Sequence, residues 1–118
     1  MRDHNKLQAF QLGDESALLI YRLTKHFPKE ELYGLTSQMR RAAVSIPSNI
    51  VEGCSRLTEA EYLRFLEIAF GSLRELHYQL TLAERLGYTE KNLFYECDEK
   101  LIRTGKVLSG LIRSIRKK

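Results

Sequence analysis

The chain has 118 residues, 43% of them hydrophobic and 29% charged, with a net charge of +4. That length suits one domain over residues 1–118, and the composition suits a water-soluble one. No apolar stretch reaches the ~20 residues of a membrane span, and the opening MRDHNKLQAF lacks the apolar core of a signal peptide, so a cytoplasmic protein without a membrane partner is expected.

Apolar residues recur at intervals of three and four throughout, the helical spacing. The first helix is predicted from near Lys6 to His26, with Leu7, Phe10, Ala17, Ile20, Tyr21 and Thr24 on its inner face. Gly13 weakens it. Phe27-Pro28 ends it, because the residue before a proline is pushed out of helical geometry. The second helix is predicted from about Glu30 to Glu52, with Leu32, Leu35, Met39, Ala42, Ile46 and Ile50 inward and Gly53 as its stop. Pro47 lies inside it. Proline has no amide donor and collides with the preceding turn, so a kink or a restart is expected there. Ser45, Ser48 and Asn49 can satisfy backbone groups so freed.

The third helix opens on a capping box, Thr58-Glu59-Ala60-Glu61, in which the threonine oxygen takes a free amide of the first turn. Tyr62, Leu66, Ala69, Leu73, Leu76, Leu80 and Ala83 follow at steps of four and three. Gly87 supplies the left-handed residue that closes a helix. Thr89 is the expected cap of the fourth, whose seam is Phe94, Cys97, Leu101, Thr104, Leu108, Leu111 and Ile115. Gly105 and Gly110 interrupt it, each at about 1 kcal/mol against alanine; they read as points of close helix approach or as ligand contacts. Short links at Pro28, Gly53–Leu57 and Gly87–Tyr88 imply antiparallel neighbours. The expected fold is all-α: an antiparallel up-and-down four-helix bundle with a proline kink in helix 2.

Charge is unevenly placed. All fifteen acids precede residue 100, whereas the chain from Lys100 onward holds seven bases and no acid, leaving −3 for residues 1–99. Arg103, Lys106, Arg113 and Lys117 share one helix face, with Gly110 between them and the Leu101/Leu108/Ile115 seam opposite. Such a face is either a solvated outer surface or an electrostatic footprint for phosphate. No aromatic residue alternates with these bases, so contact is expected mainly to nucleic-acid backbone. Lys100, Arg103, Lys106, Arg113, Arg116 and Lys117 are the candidate RNA or DNA contacts, with Arg40, Arg41 and Arg56 as additions. A protein partner, with the bases only solubilising, is the competing expectation.

A polar line on the second helix comprises Gln38, Arg41, Ser45, Ser48, Asn49 and Glu52. The third helix offers Ser72, Glu75 and Gln79 at the same spacing. Antiparallel packing would bring the two lines together, with Arg41 opposite Glu75, as a structural polar seam or as a ligand site.

Catalytic patterns are weak. His4, His26 and His77 are scattered, and His77 is expected to pack near the apolar face. No Ser–His–Asp set, phosphate loop or HExxH motif occurs. Cys54 and Cys97 have no evident base and no metal-like spacing, which favours ordinary thiols in a reducing compartment. Glu61, Glu67 and Glu75 lack the paired histidines of a di-iron bundle. No enzyme activity, cofactor or metal is expected.

The run LTSQMRRAAVSIPSNIVEGCSR, followed by YLRFLEIAFGSLREL, resembles the four-helix-bundle proteins encoded in intervening sequences of bacterial 23S ribosomal RNA genes. The resemblance extends from HFPKEELYGLTSQ through ERLGY. It rests on Phe27-Pro28, Arg40-Arg41-Ala42-Ala43, Ser45 to Ile50, Glu52-Gly53, Arg56 and Ala69-x-Gly71-Ser72-x-x-Glu75-Leu76. Val51 departs from the family's usual alanine, and Leu12-Gly13-Asp14 from its smoother first helix. The resemblance implies a bundle that assembles into a ring, a homopentamer, with no enzyme activity. Similar ring-forming bundles accompany the reverse transcriptases of diversity-generating retroelements and bind nucleic acid.

Overall fold

The computed structural model describes residues 2–118. Four helices form: α1 (Gln8–Thr24), α2 (Leu35–Cys54), α3 (Glu59–Arg85) and α4 (Lys91–Arg116), with short 3₁₀ turns at His4–Lys6 and Lys29–Glu31. No strand occurs among the described residues. Each helix has one apolar stripe and must cover it against neighbours. α1 and α3 each pack on both α2 and α4, and among the described residues the backbones of neither diagonal pair come close, so the helices stand at the corners of a square. Contacts run in opposite chain directions. Ser45 of α2 meets Ser72 of α3, while Gly53, further along α2, meets Tyr62, earlier in α3.

The core is built from the predicted stripes. Ile20, Met39, Ile46, Ile50, Leu66, Leu76, Leu80, Leu101 and Leu108 are fully buried, each worth roughly 1.5–3 kcal/mol of burial. Within it lies one polar pair, Ser16 of α1 and Thr104 of α4, with hydroxyl oxygens 3.1 Å apart. Each also lies within bonding distance of its own helix carbonyl, Leu12 at 2.8 Å and Lys100 at 2.7 Å. A hydroxyl has one proton, so two of these three bonds can form at once.

Several helix ends follow from local chemistry. Thr58 Oγ1 accepts the Glu61 N–H at 3.2 Å. Gly87 takes φ +78°, and the Gly87 and Tyr88 amides donate to the Glu84 and Ala83 carbonyls, closing α3 as expected. Other ends differ from the sequence reading. α2 starts at Leu35 rather than near Glu30, because Gly34 (φ −115°, ψ −114°) breaks the chain direction and Glu31 Oε1 accepts the Leu35 N–H at 3.1 Å. Leu32 is therefore half exposed, not inward, and Tyr33 is 94% exposed. Glu90, not Thr89, caps α4, since its carboxylate accepts the Asn92 and Leu93 amides at 3.0 and 2.9 Å. These two bonds hold its pKa below the usual carboxylate value.

Gly53 does not stop α2; the helix runs on to Cys54. A Cβ at Gly53 would lie 3.0 Å from Phe65 Cβ and 3.3 Å from the Tyr62 carbonyl oxygen, so glycine is the residue that lets α3 close in. Gly105 is likewise a close approach, with Leu73 Cδ2 at 3.1 Å from a would-be Cβ, whereas Gly110 meets nothing nearer than Arg113 Nη2 at 3.8 Å. Pro47 sits within unbroken helix and does not restart it. It is buried against Gly13, whose would-be Cβ lies 3.1 Å from Ile46 Cγ2. Asn49 Nδ2 donates to the Ser45 carbonyl at 2.8 Å, not to the Ala43 carbonyl that the proline leaves without its i+4 amide.

Two glycine substitutions should move stability in opposite directions. Gly53→Ala meets rigid neighbours and should lower Tm by several degrees, the overpacking cost of about 1–3 kcal/mol outweighing the helix gain. Gly71→Ala, with nothing within 4 Å of its Cβ, should raise stability by about 1 kcal/mol. Thermal melts followed by circular dichroism measure both; equal signs would refute the packing account. Burial also governs the thiols. Cys97 is pushed from its ordinary 9.0 up to about 12, chiefly by burial. The unfolded thiol thus ionises first, and stability from this group is complete below pH 9 and falls as pH climbs toward 12. Denaturant melts across alkaline pH should show that decline in wild type and less of it in Cys97→Ala. At neutral pH a thiol reagent should label Cys54 and Cys97 only after denaturant is added.

Candidate functional site

The two polar lines do meet. Gln38, Arg41 and Ser45 of α2 and Ser72 and Glu75 of α3, with Ala42, line a hollow of about 240 Å³. At its floor the Ser45 and Ser72 hydroxyls lie 2.8 Å apart, and Asn49 Nδ2 donates to Ser45 Oγ at 2.9 Å. Arg41 and Glu75 share the hollow but form no ion pair among the described residues; the nearest fixed link between the helices is the serine pair. Glu52 lies beyond the hollow and accepts from Arg56 at 2.7 Å. Gln79 is buried away from it, with its amide oxygen unpartnered.

The three α2-side arginines are held in separate ways. Arg40 Nε donates to Thr24 Oγ1 at 2.8 Å, and its guanidinium lies 4.6 Å from the Tyr21 ring centre. That pins it to α1. Arg56 pairs with Glu52 and stacks over Phe65 at 4.7 Å. Arg41 is exposed. With Arg40 it borders a broad groove of about 770 Å³ between α1 and α2, walled by Tyr21, Leu32, Tyr33 and Val44. Arg40 is tied to α1, whereas Arg56, past the end of α2, lies over α3 at the end of the bundle where Arg116 and Lys118 pair with Glu67 and Glu59.

On α4 the bases divide into paired and unpaired. Lys100 Nζ reaches Glu15 Oε1 at 2.6 Å, and Arg116 pairs with Glu67. Arg103, Lys106, Arg113 and Lys117 are exposed and, among the described residues, have no carboxylate within 4.0 Å. Arg113 makes only a long contact to Ser109 Oγ, 3.4 Å. Two residues lie beside them that the sequence reading gave no part in a site, Phe70 being read only as widening the apolar stripe of the third helix. Arg74 and Phe70, both from α3, line the groove between α3 and α4. Their signal was the spacing Phe70–Arg74–His77 along α3, visible only once α4 is known to pack on that side.

His77 lies near the apolar face as expected, half-buried beside Phe70, Leu73 and Ile102, and adds a link that spacing did not show: its Nε2 lies 2.7 Å from Asp98 Oδ1 of α4. Cys54 and Cys97 are buried, and burial raises both thiols above their ordinary value. Among the described residues no group of three His, Cys, Asp or Glu side chains could hold a metal ion, and no helix is long and apolar enough to cross a membrane.

Comparison with known proteins gives two findings. The family described as 23S rRNA-intervening sequence protein matches residues 5–110. A crystal structure of a protein of unknown function from the S23 ribosomal protein family of Bacteroides thetaiotaomicron VPI-5482 superposes with a TM-score of 0.81 at 24% identity, covering 89% of this chain and 95% of that one. At that identity the likeness speaks for the fold. No curated protein matches the chain. The first match spans most of the sequence, and the chain belongs to the 23S rRNA-intervening sequence protein family.

Proposed function

We propose that the protein is a non-enzymatic, cytoplasmic adaptor that assembles into a ring, a homopentamer, and associates with nucleic acid or a ribonucleoprotein through its basic surface. The observation that carries this reading is the set of exposed bases on and just past α4, Arg103, Lys106, Arg113 and Lys117, without carboxylate partners among the described residues. Unpaired surface cations hold condensable anions weakly and one at a time. A phosphate chain engages several and releases counterions as it does so. Ring assembly would repeat the stripe in every subunit, so modest single contacts gain through effective concentration. Family membership supports the ring by resemblance. The absence of a catalytic role is supported by the state of the reactive groups: Ser45 and Ser72 bond each other and Asn49, and both thiols are held protonated.

A second reading, a protein-interaction scaffold, is favoured by the α1–α2 groove. Its wall of Tyr21, Leu32, Tyr33 and Val44 is exposed apolar surface of the kind that partners cover. A protein partner retained after nuclease treatment and in high salt would favour this reading over the first.

Binding of RNA and duplex DNA, titrated across salt concentration, tests the main proposal. The log affinity should fall linearly with log salt. Replacing Arg103, Lys106, Arg113 and Lys117 together by alanine should flatten that slope by roughly 3–4 for a duplex without lowering Tm. A slope unchanged by the four substitutions would sink the reading. Light scattering should give five times the 13.7 kDa subunit mass; a monomer would remove the ring and the avidity together.

A further inference from the structure

The α4 bases do not all look outward. Between α3 and α4 run two adjacent hollows of about 260 and 430 Å³, with Phe70 and Ser109 bordering both, that together make one channel along the helix pair. Arg74 of α3 and Lys106 of α4 line the first, and Arg113 the second; Arg103 and Lys117 line neither. Gly105 brings the helices close enough for cations from both to border one channel, since a Cβ there would lie 3.1 Å from Leu73 Cδ2. One carboxylate lines the channel, Glu67, and it is engaged by Arg116; Asp98, outside the lining, is engaged by the channel's His77. Arg74, Lys106 and Arg113 have no carboxylate within 4.0 Å among the described residues. Phe70, Leu73 and Ile102 supply apolar lining between them.

We infer that this channel seats a single nucleic-acid strand, with phosphates on Arg74, Lys106 and Arg113 and a base laid against Phe70. A duplex keeps its base faces stacked inside and offers only phosphate to such a surface. A single strand uses the cations and the apolar lining together. The inference rests on the phosphate-binding reading above. It adds a contact from α3, and it divides the α4 stripe into bases that line the channel and bases that lie outside it.

The test is fluorescence anisotropy with a labelled RNA strand and with the same strand annealed to its complement. Arg74→Gln, Lys106→Gln and Arg113→Gln should each weaken strand binding about eightfold at ~50 mM salt and flatten the salt slope by about 0.7, the counterion share of one single-strand contact. Lys25→Gln and Lys29→Gln, exposed and remote from α4, should leave it within about twofold, Arg103→Gln and Lys117→Gln should each cost less than Arg74→Gln, and Phe70→Leu should weaken the strand more than the duplex. Circular dichroism melts establish that each variant is folded; the arginine and lysine changes are all at exposed positions. Wild-type affinity in Arg74→Gln, with losses in Arg103→Gln and Lys117→Gln, would place the strand on the outer face and overturn the channel while leaving the broader proposal standing. Duplex binding as tight as the strand's, with the same dependence on Arg74, would overturn the single-strand assignment. No salt-dependent binding by the wild type would overturn both.

Discussion

At Gly53 the α2 backbone lies against Tyr62 and Phe65 with no room for a methyl group between them. This contact ties the register of α2 to that of α3, because Tyr62 and Phe65 can come so close only where α2 has no side chain. From that register the rest of the α2–α3 face follows. Two turns back along α2, Ser45 falls opposite Ser72, and the polar residues one turn further back face each other across a hollow rather than being buried in the core. Ala42, Ala43, Ala69 and Ala83, all buried, continue the same principle with small side chains where larger ones would hold the helices apart.

What the sequence made legible was whatever depends on one helix at a time. The stripes of α3 and α4, the Thr58 cap and the left-handed Gly87 are local chemistry, and they are found where period and punctuation put them. The errors and omissions have a common origin. Gly53 looks like a helix stop because glycine in isolation weakens a helix; only the neighbour that closes over it reveals the use of having no side chain. Glu90 outcompetes Thr89 as a cap because a carboxylate can take two amides and is stabilised by the helix dipole, a preference that spacing alone cannot rank. His77 turns to Asp98, and Asp98 belongs to another helix. The candidate site divides in the same way. The meeting of Gln38, Arg41, Ser45, Ser72 and Glu75 was readable from two matching periodicities, whereas the place of Arg74 and Phe70 beside the α4 bases required knowing which side of α3 faces α4.

Charge follows a similar logic. Seven bases after residue 99 set the net sign of the C-terminal segment, but sign alone does not distinguish a neutralised surface from an available one. Lys100 and Arg116 are spent on Glu15 and Glu67, in contacts that join α4 to its two neighbours and hold the bundle's corner. Lys118 reaches Glu59 at 3.5 Å, and Arg103, Lys106, Arg113 and Lys117 have no such duty among the described residues. Ion pairs at this exposure contribute little to stability, so their value to the fold lies more in fixing orientation than in energy.

The square arrangement sets one further condition. The aromatic-walled groove runs along α2, with Tyr21 of α1 at its edge, and the cationic channel between α3 and α4 shares no residue with it. The subunit is therefore two-faced, and a body resting on one face casts no steric shadow on the other. Each copy can act as a bridge whose two ends never compete for space, and the rigid core between them holds the distance from one to the other constant.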